Sequence, residues 1–290
     1  MSPVARARLL ILGTAVSFGL MAVLARRLAS AHDFTAGQLS VIRFGAGAAF
    51  SLLAFRLGLA RYAPVNRRLL WSRGLSGGVV VVLYFLALAR IPAGEAGLLY
   101  NLFPVIATAL AVPAFGERPT IHLLLALLVA TAGVGLVLGG GSLSLGLGPG
   151  EAFALGAALF AAVSAVTIRA MRATDNAATI FFYFCLGGLP VAVPFALDPW
   201  TLAPGPWAVA LLMALSAYAA QVMMAEAYGA LTVPEAAIWL QLTPIAQVVL
   251  AVPLLGEVLP FASVVGVLVG VAGVAYGSVM GSRRPVPPAG

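Results

Sequence analysis

The chain has 290 residues, 62% of them hydrophobic and only 9% charged, with a mean hydropathy of +1.07 and a net charge of +7. Soluble domains carry roughly 25% charged residues, and a chain this poor in charge cannot build the polar shell that a soluble fold of this length needs. All sixteen basic residues are arginines scattered between apolar runs, which excludes a nucleic-acid patch, and the lone Cys185 excludes an intrachain disulfide and a thiolate metal site.

A membrane-spanning helix needs about 20 mostly apolar residues. Cuts at charges and at Pro/Gly clusters predict ten such spans: 9–29, 36–56, 70–90, 94–114, 121–139, 150–169, 178–197, 207–228, 234–254 and 260–280. With the N-terminus in the cytoplasm, Arg6, Arg8, Arg56, Arg61, Arg67, Arg68, Arg73, Arg118, Arg169, Arg172, Arg283 and Arg284 fall inside. Arg26, Arg27 and Arg90 fall outside. This bias places both termini in the cytoplasm of a multi-pass protein of the bacterial inner membrane.

Span one, with arginines before it and Ala-Ser-Ala at 29–31, imitates an export signal. It is read as a retained helix, because Ala25-Arg26 has a counterpart in Ile168-Arg169. Span two contains Arg43, the most informative residue. An arginine near the bilayer centre costs at least roughly 2.5–3.5 kcal/mol on insertion scales. It can pair with Glu95, snorkel to headgroups, or present its bidentate fork to a carboxylate of the substrate. Span three offers Tyr84 as a wall residue.

Span four starts at Glu95, a helix-start charge that can also gate. It continues through Asn101 and Pro104, where proline frees the Tyr100 carbonyl and the nearby amide can satisfy it or line a cavity. Span five carries Ala126, Ala130 and Gly133, small residues suited to close helix packing. The Gly-rich stretch 140–149 is expected to link two halves on the outer side.

Span seven supplies Tyr183. Span eight places Tyr218, Gln221, Ala225 and Tyr228 on one face. Near its inner end stands Glu226, which can carry a proton or contact Arg169 or Arg172. Span nine brings Glu235 at its start, the stripe Trp239, Thr243 and Gln247, and the pair Gln241 and Pro244 matching Asn101 and Pro104. The two prolines are expected hinges. Span ten repeats glycine at 266, 270, 273 and 277, and the tail 281–290 is expected to be disordered. Trp71, Trp200 and Trp207 at span ends read as interfacial anchors.

Residues 84–136 lie over 224–276 without a gap. Glu95 matches Glu235, Pro104 matches Pro244, and Ala111-Val112-Pro113 with Gly116-Glu117 matches Ala251-Val252-Pro253 with Gly256-Glu257. Each copy holds five spans, an odd number, so the second copy enters the membrane from the opposite side. The expected fold is an all-α membrane protein of ten transmembrane helices in two inverted repeats, 1–139 and 150–280, around a central cavity. Inverted repeats about an axis in the membrane plane mark secondary transporters, with a midplane site between the halves.

Two five-span repeats, a proline-bearing fourth helix ending in V-P-x-x-G-E and a Gly-rich fifth helix resemble the drug/metabolite transporter superfamily with two EamA-type domains. That resemblance implies a basket of spans one to four and six to nine, with spans five and ten as scaffold. It also implies a small-molecule substrate.

The expected function is export of small metabolites, amino acids foremost, by alternating access. Candidate substrate residues are Arg43, Tyr84, Asn101, Tyr183, Tyr218, Gln221, Trp239, Gln241 and Gln247; Glu226, Glu95 and Glu235 are candidates for coupling or gating. A proton-coupled exporter of multiple drugs or cationic compounds is the alternative, although span one lacks the buried acid such chemistry favours. An intramembrane enzyme needs clustered acids, histidines or an activated serine, and no such cluster is present in the sequence. His32 and His122 have no acid at metal-ligand spacing, and without lysine there is no phosphate-binding loop for an ATP-driven pump. No cofactor, metal or nucleic acid is expected; the partners are substrate and membrane lipid, and the protein is expected to be a monomer rather than a homodimer.

Overall fold

The computed structural model of the chain describes every residue except 89, 92, 139–147, 201–203 and 281–290. In chain order its helices are α1 (Pro3–His32), α2 (Ala36–Arg56), α3 (Arg67–Leu88), α4 (Ala93–Tyr100), α5 (Phe103–Phe115), α6 (Ile121–Leu138) and α7 (Pro149–Met171). They continue with α8 (Ala177–Ala192), α9 (Pro204–Ala227), α10 (Val233–Leu240), α11 (Leu242–Leu255) and α12 (Phe261–Met280).

Nine helical segments among the described residues are long and apolar enough to cross a bilayer, with α4–α5 and α10–α11 each forming one of them. The remaining expected span is α3, whose 22 residues include Arg67, Arg68 and Arg73. It is about 33 Å long at 1.5 Å per residue. It packs along α7 and α8, as its repeat counterpart α9 packs along α1 and α2. That equivalence gives α3 the place of a span despite its arginines. Residues 140–147 of the expected linker and the expected tail lie outside the described residues. Helix α7 already starts at Pro149, inside the expected linker, because the Glu151 carboxylate accepts the Gly148 N–H and closes the first turn.

Spans four and nine are each broken in two at equivalent points. Helix α4 stops at Tyr100 and α5 starts at Phe103; α10 stops at Leu240 and α11 starts at Leu242. Pro104 and Pro244 have no N–H for the carbonyls four residues earlier, so the hydrogen-bond ladder cannot continue. Each proline stands in the first turn of a new helix, where a missing N–H leaves nothing unpaired.

The repeated phrase A-V-P-x-x-G-E ends those spans by one local mechanism. Gly116 (φ 68°) and Gly256 (φ 70°) adopt the left-handed conformation, and their N–H groups donate to Val112 and Val252. The glutamate that follows leaves its own helix and meets an arginine of the other half. Glu117 pairs with Arg169 of α7 at 3.3 Å, and Glu257 pairs with Arg26 of α1 at 2.7 Å.

These two reciprocal pairs lie at opposite ends of the bundle. Glu117 also accepts the Val233 N–H at 2.7 Å, and Glu235, two residues on, binds Arg8 at 2.6 Å, so Glu117 and the start of α1 share one end. Along α1, the stretch from Arg8 to Arg26 covers about 27 Å, which carries Glu257 to the other end. The packing repeats the same relation: α1 lies against α9 and α11, α7 lies against α3 and α5, and α2 meets its counterpart α8.

Helices α6 and α12, spans five and ten, meet along a close backbone seam. A Cβ on Gly133 would stand 2.4 Å from the Gly270 nitrogen, and one on Gly273 would stand 2.7 Å from the Ala130 nitrogen. Only backbone-to-backbone packing through small residues allows this approach.

Candidate functional site

Helix α8 is wedged between α2 and α3, and glycines on both neighbours make room for its aromatic face. A Cβ on Gly47 would meet the Cys185 sulfur at 2.8 Å, and one on Gly77 would meet the Phe184 ring at 2.2 Å. Each glycine stands four residues after an arginine, Arg43 on α2 and Arg73 on α3, so each pair shares a helix face.

Both guanidinium groups turn to Phe184. The Arg73 carbon is 4.2 Å from the ring centroid and the Arg43 carbon 5.7 Å, with Arg43 also 5.8 Å from Phe44. The two arginines are close enough to act on each other electrostatically, and the Tyr100 hydroxyl and Cys185 thiol lie within the same field. Arg43 Nε, Arg73 Nε and Arg73 Nη1 are buried without a hydrogen-bond partner.

Of the alternatives for Arg43, the pair with Glu95 is not among the ion pairs of the described residues. The ion pairs among the described residues are Arg8–Glu235, Arg26–Glu257, Arg169–Glu117 and Arg172–Glu226. Glu95 is buried in the first turn of α4, while Arg43 points to the aromatic face of α8. Arg73 corrects the topology reading more sharply. Expected among the inner-side charges, it is 4% exposed, because its place in the second turn of α3 sets it on the α8 face.

Of the other wall candidates, Tyr84 joins this region through Tyr100, their centroids 5.1 Å apart. Asn101 donates to its own helix, at the Gly97 carbonyl (2.8 Å), which already accepts the Asn101 backbone N–H, and not to the Tyr100 carbonyl that Pro104 frees. Gln241 is fully buried and donates to Thr131 of α6 at 2.7 Å, tying the break in span nine to the scaffold. Trp239 packs into two apolar clusters, and its indole N–H has no partner. Gln221 is buried on α9, and the Gln247 backbone nitrogen would be 2.7 Å from a Cβ on Gly19 of α1. The break at Gln241 falls within the expected stripe 235–239–243–247 and divides it between α10 and α11.

Tyr183 lies elsewhere. Its hydroxyl meets Tyr62 at 3.2 Å and its ring meets Trp71 at 5.4 Å, at the end of the bundle that holds Glu117. Glu226, expected to carry a proton or contact an arginine, makes the arginine contact: Arg172 donates to it at 3.0 Å. Glu226 and Tyr218 line a cavity of about 520 Å³ between α2, α8 and α9, together with Phe50, Arg61 and Asn176. This cavity opens on the flank at that end. Among the described residues, no group of three His, Cys, Asp or Glu side chains is placed to hold a metal ion.

Arg73, Phe184 and Tyr100 are the residues that sequence reading missed. The available signal was the shared spacing Arg-x-x-x-Gly at 43–47 and 73–77.

A family model described as the EamA-like transporter family matches residues 5–139 and 148–278. The Pseudopaline exporter CntI of Pseudomonas aeruginosa, in strains PAO1 and UCBPP-PA14, is 28% identical over 165 residues. That match covers 56% of this chain and 57% of the relative, so the chain spans just over half the length of the curated relatives it matches. A protein of known crystal structure, 18% identical, superposes with a TM-score of 0.83 over 96% of this chain and 98% of its own, a likeness of fold.

Proposed function

The chain belongs to the EamA-like transporter family, and from that premise we propose that it exports small carboxylate-bearing metabolites, amino acids first among them, by alternating access. The observation that carries this reading is Arg43, whose guanidinium stands inside the bundle with a free Nε and no carboxylate partner. An uncompensated arginine at this depth is expensive. A substrate carboxylate that docks on its fork and leaves again compensates the charge only when cargo is present. A cationic substrate fits poorly beside Arg43 and the buried Arg73.

That the Pseudomonas relatives are exporters supports outward transport. The arginine distribution supports a cytoplasmic membrane location with both termini inside. In the proposed cycle the breaks at Pro104 and Pro244 act as hinges, and the reciprocal pairs Arg169–Glu117 and Arg26–Glu257 close the two mouths in turn. Glu235 fastens the start of α10 through Arg8, Glu95 anchors the start of α4, and Glu226 serves as a latch to Arg172.

The test is counterflow of radiolabelled amino acids in proteoliposomes, with and without a pH gradient. Wild type is expected to carry at least one amino acid, and Arg43→Leu is expected to insert normally and carry none. Full activity in that variant removes Arg43 from the site. Transport of a lipophilic cation with failure of every amino acid replaces this reading by a cationic-compound exporter.

A further inference from the structure

Arg73 is assigned no substrate contact in the reading above, although its environment is the more demanding of the two. Its side chain is buried, two of its three nitrogens lack partners, and it takes part in none of the ion pairs among the described residues. The ring of Phe184 attracts its cationic face. Stacking leaves the in-plane N–H donors unused, and those donors are the ones that bind a carboxylate.

Two like charges against one ring also repel, and the low dielectric between helices strengthens that repulsion. One carboxylate saturates one guanidinium fork and leaves the second cation uncompensated. Because both guanidinium carbons lie within 5.7 Å of the same centroid, a short-chain molecule with an anionic group at each end can bridge them. We propose that Arg73 is a second substrate-binding residue and that the preferred cargo is a dicarboxylate, held at one end by Arg43 and at the other by Arg73. This inference rests on the carboxylate-export reading and narrows its substrate class.

Glutamate and glutamine test it, since they share a skeleton and differ by one carboxylate. Wild-type proteoliposomes are expected to exchange radiolabelled glutamate at least tenfold faster than glutamine at equal concentration. In Arg73→Gln the ratio is expected to fall to about one, and Arg73→Lys is expected to keep an intermediate ratio. Should Arg73→Gln fail to insert, competition on wild type and Arg73→Lys decides. Unlabelled succinate is expected to inhibit wild-type exchange where butyrate does not, and to do so more weakly in Arg73→Lys. Equal glutamate and glutamine rates in wild type, an unchanged ratio in Arg73→Gln, or equal inhibition by succinate and butyrate overturns the dicarboxylate assignment alone. Failure of wild type to move any amino acid or to respond to any carboxylate overturns both readings.

Discussion

The two ends of the bundle use the same ion pair and fasten it differently. At one end Glu117 is 11% exposed and accepts from both Arg169 and the Val233 N–H, while Arg169 also reaches the Tyr228 carbonyl at 3.3 Å. Arg8–Glu235 and Arg172–Glu226 stand at the same end, and Asp175 there accepts the N–H groups of Val65 and Asn66. At the other end Arg26 and Glu257 are 61% and 33% exposed. The lesson is that sequence symmetry fixes which residues meet, whereas burial and added hydrogen bonds decide how much each meeting stabilises.

Removing one partner of each pair should expose that inequality. Glu117→Gln leaves Arg169 poorly compensated in a half-buried site, so a loss of about 2–3 kcal/mol is expected from hydrogen bonds to charged groups, read as a lower unfolding midpoint in detergent. The charge swap Glu117→Arg with Arg169→Glu is expected to recover part of that loss; recovery of nothing shows that the Val233 contact, not the ion pair, dominates.

Glu226→Gln should cost less, about 0.5–1 kcal/mol, because its carboxylate faces the open flank cavity. Its response to a pH gradient should match wild type, and a lost response makes Glu226 the proton carrier instead of a latch. Glu257→Gln is expected to change stability least, by less than about 0.5 kcal/mol. A cost equal to that of Glu117→Gln erases the contrast between the ends.

The duplicated five-span plan was legible because its signals are local. Gly116 and Gly256 cap helices, Pro104 and Pro244 interrupt them, and the small residues of α6 and α12 have a four-residue spacing. The partners of Glu117 and Glu257 were not legible, since each lies on a helix of the opposite half. Arg26 and Arg169 read equally well as topology charges until the fold joined them to those glutamates. Arg73 was read for orientation alone for a related reason: charge near a span end signals topology, and only packing against Phe184 shows that the side chain lies against α8. The likeness of Asn101 to Gln241 also concealed a difference. Asn101 turns back to the Gly97 carbonyl of its own helix, while Gln241 crosses to Thr131.

The central claim is that the mouths open in turn around a site between the halves. The most direct measurement is counterflow by the double variant Arg26→Cys with Glu257→Cys, before and after bridging with a short bifunctional thiosulfonate. The one native thiol, Cys185, is buried and offers little background. Alternating access predicts that bridging stops transport and that reduction restores it. Undiminished transport through a bridged mouth contradicts the account.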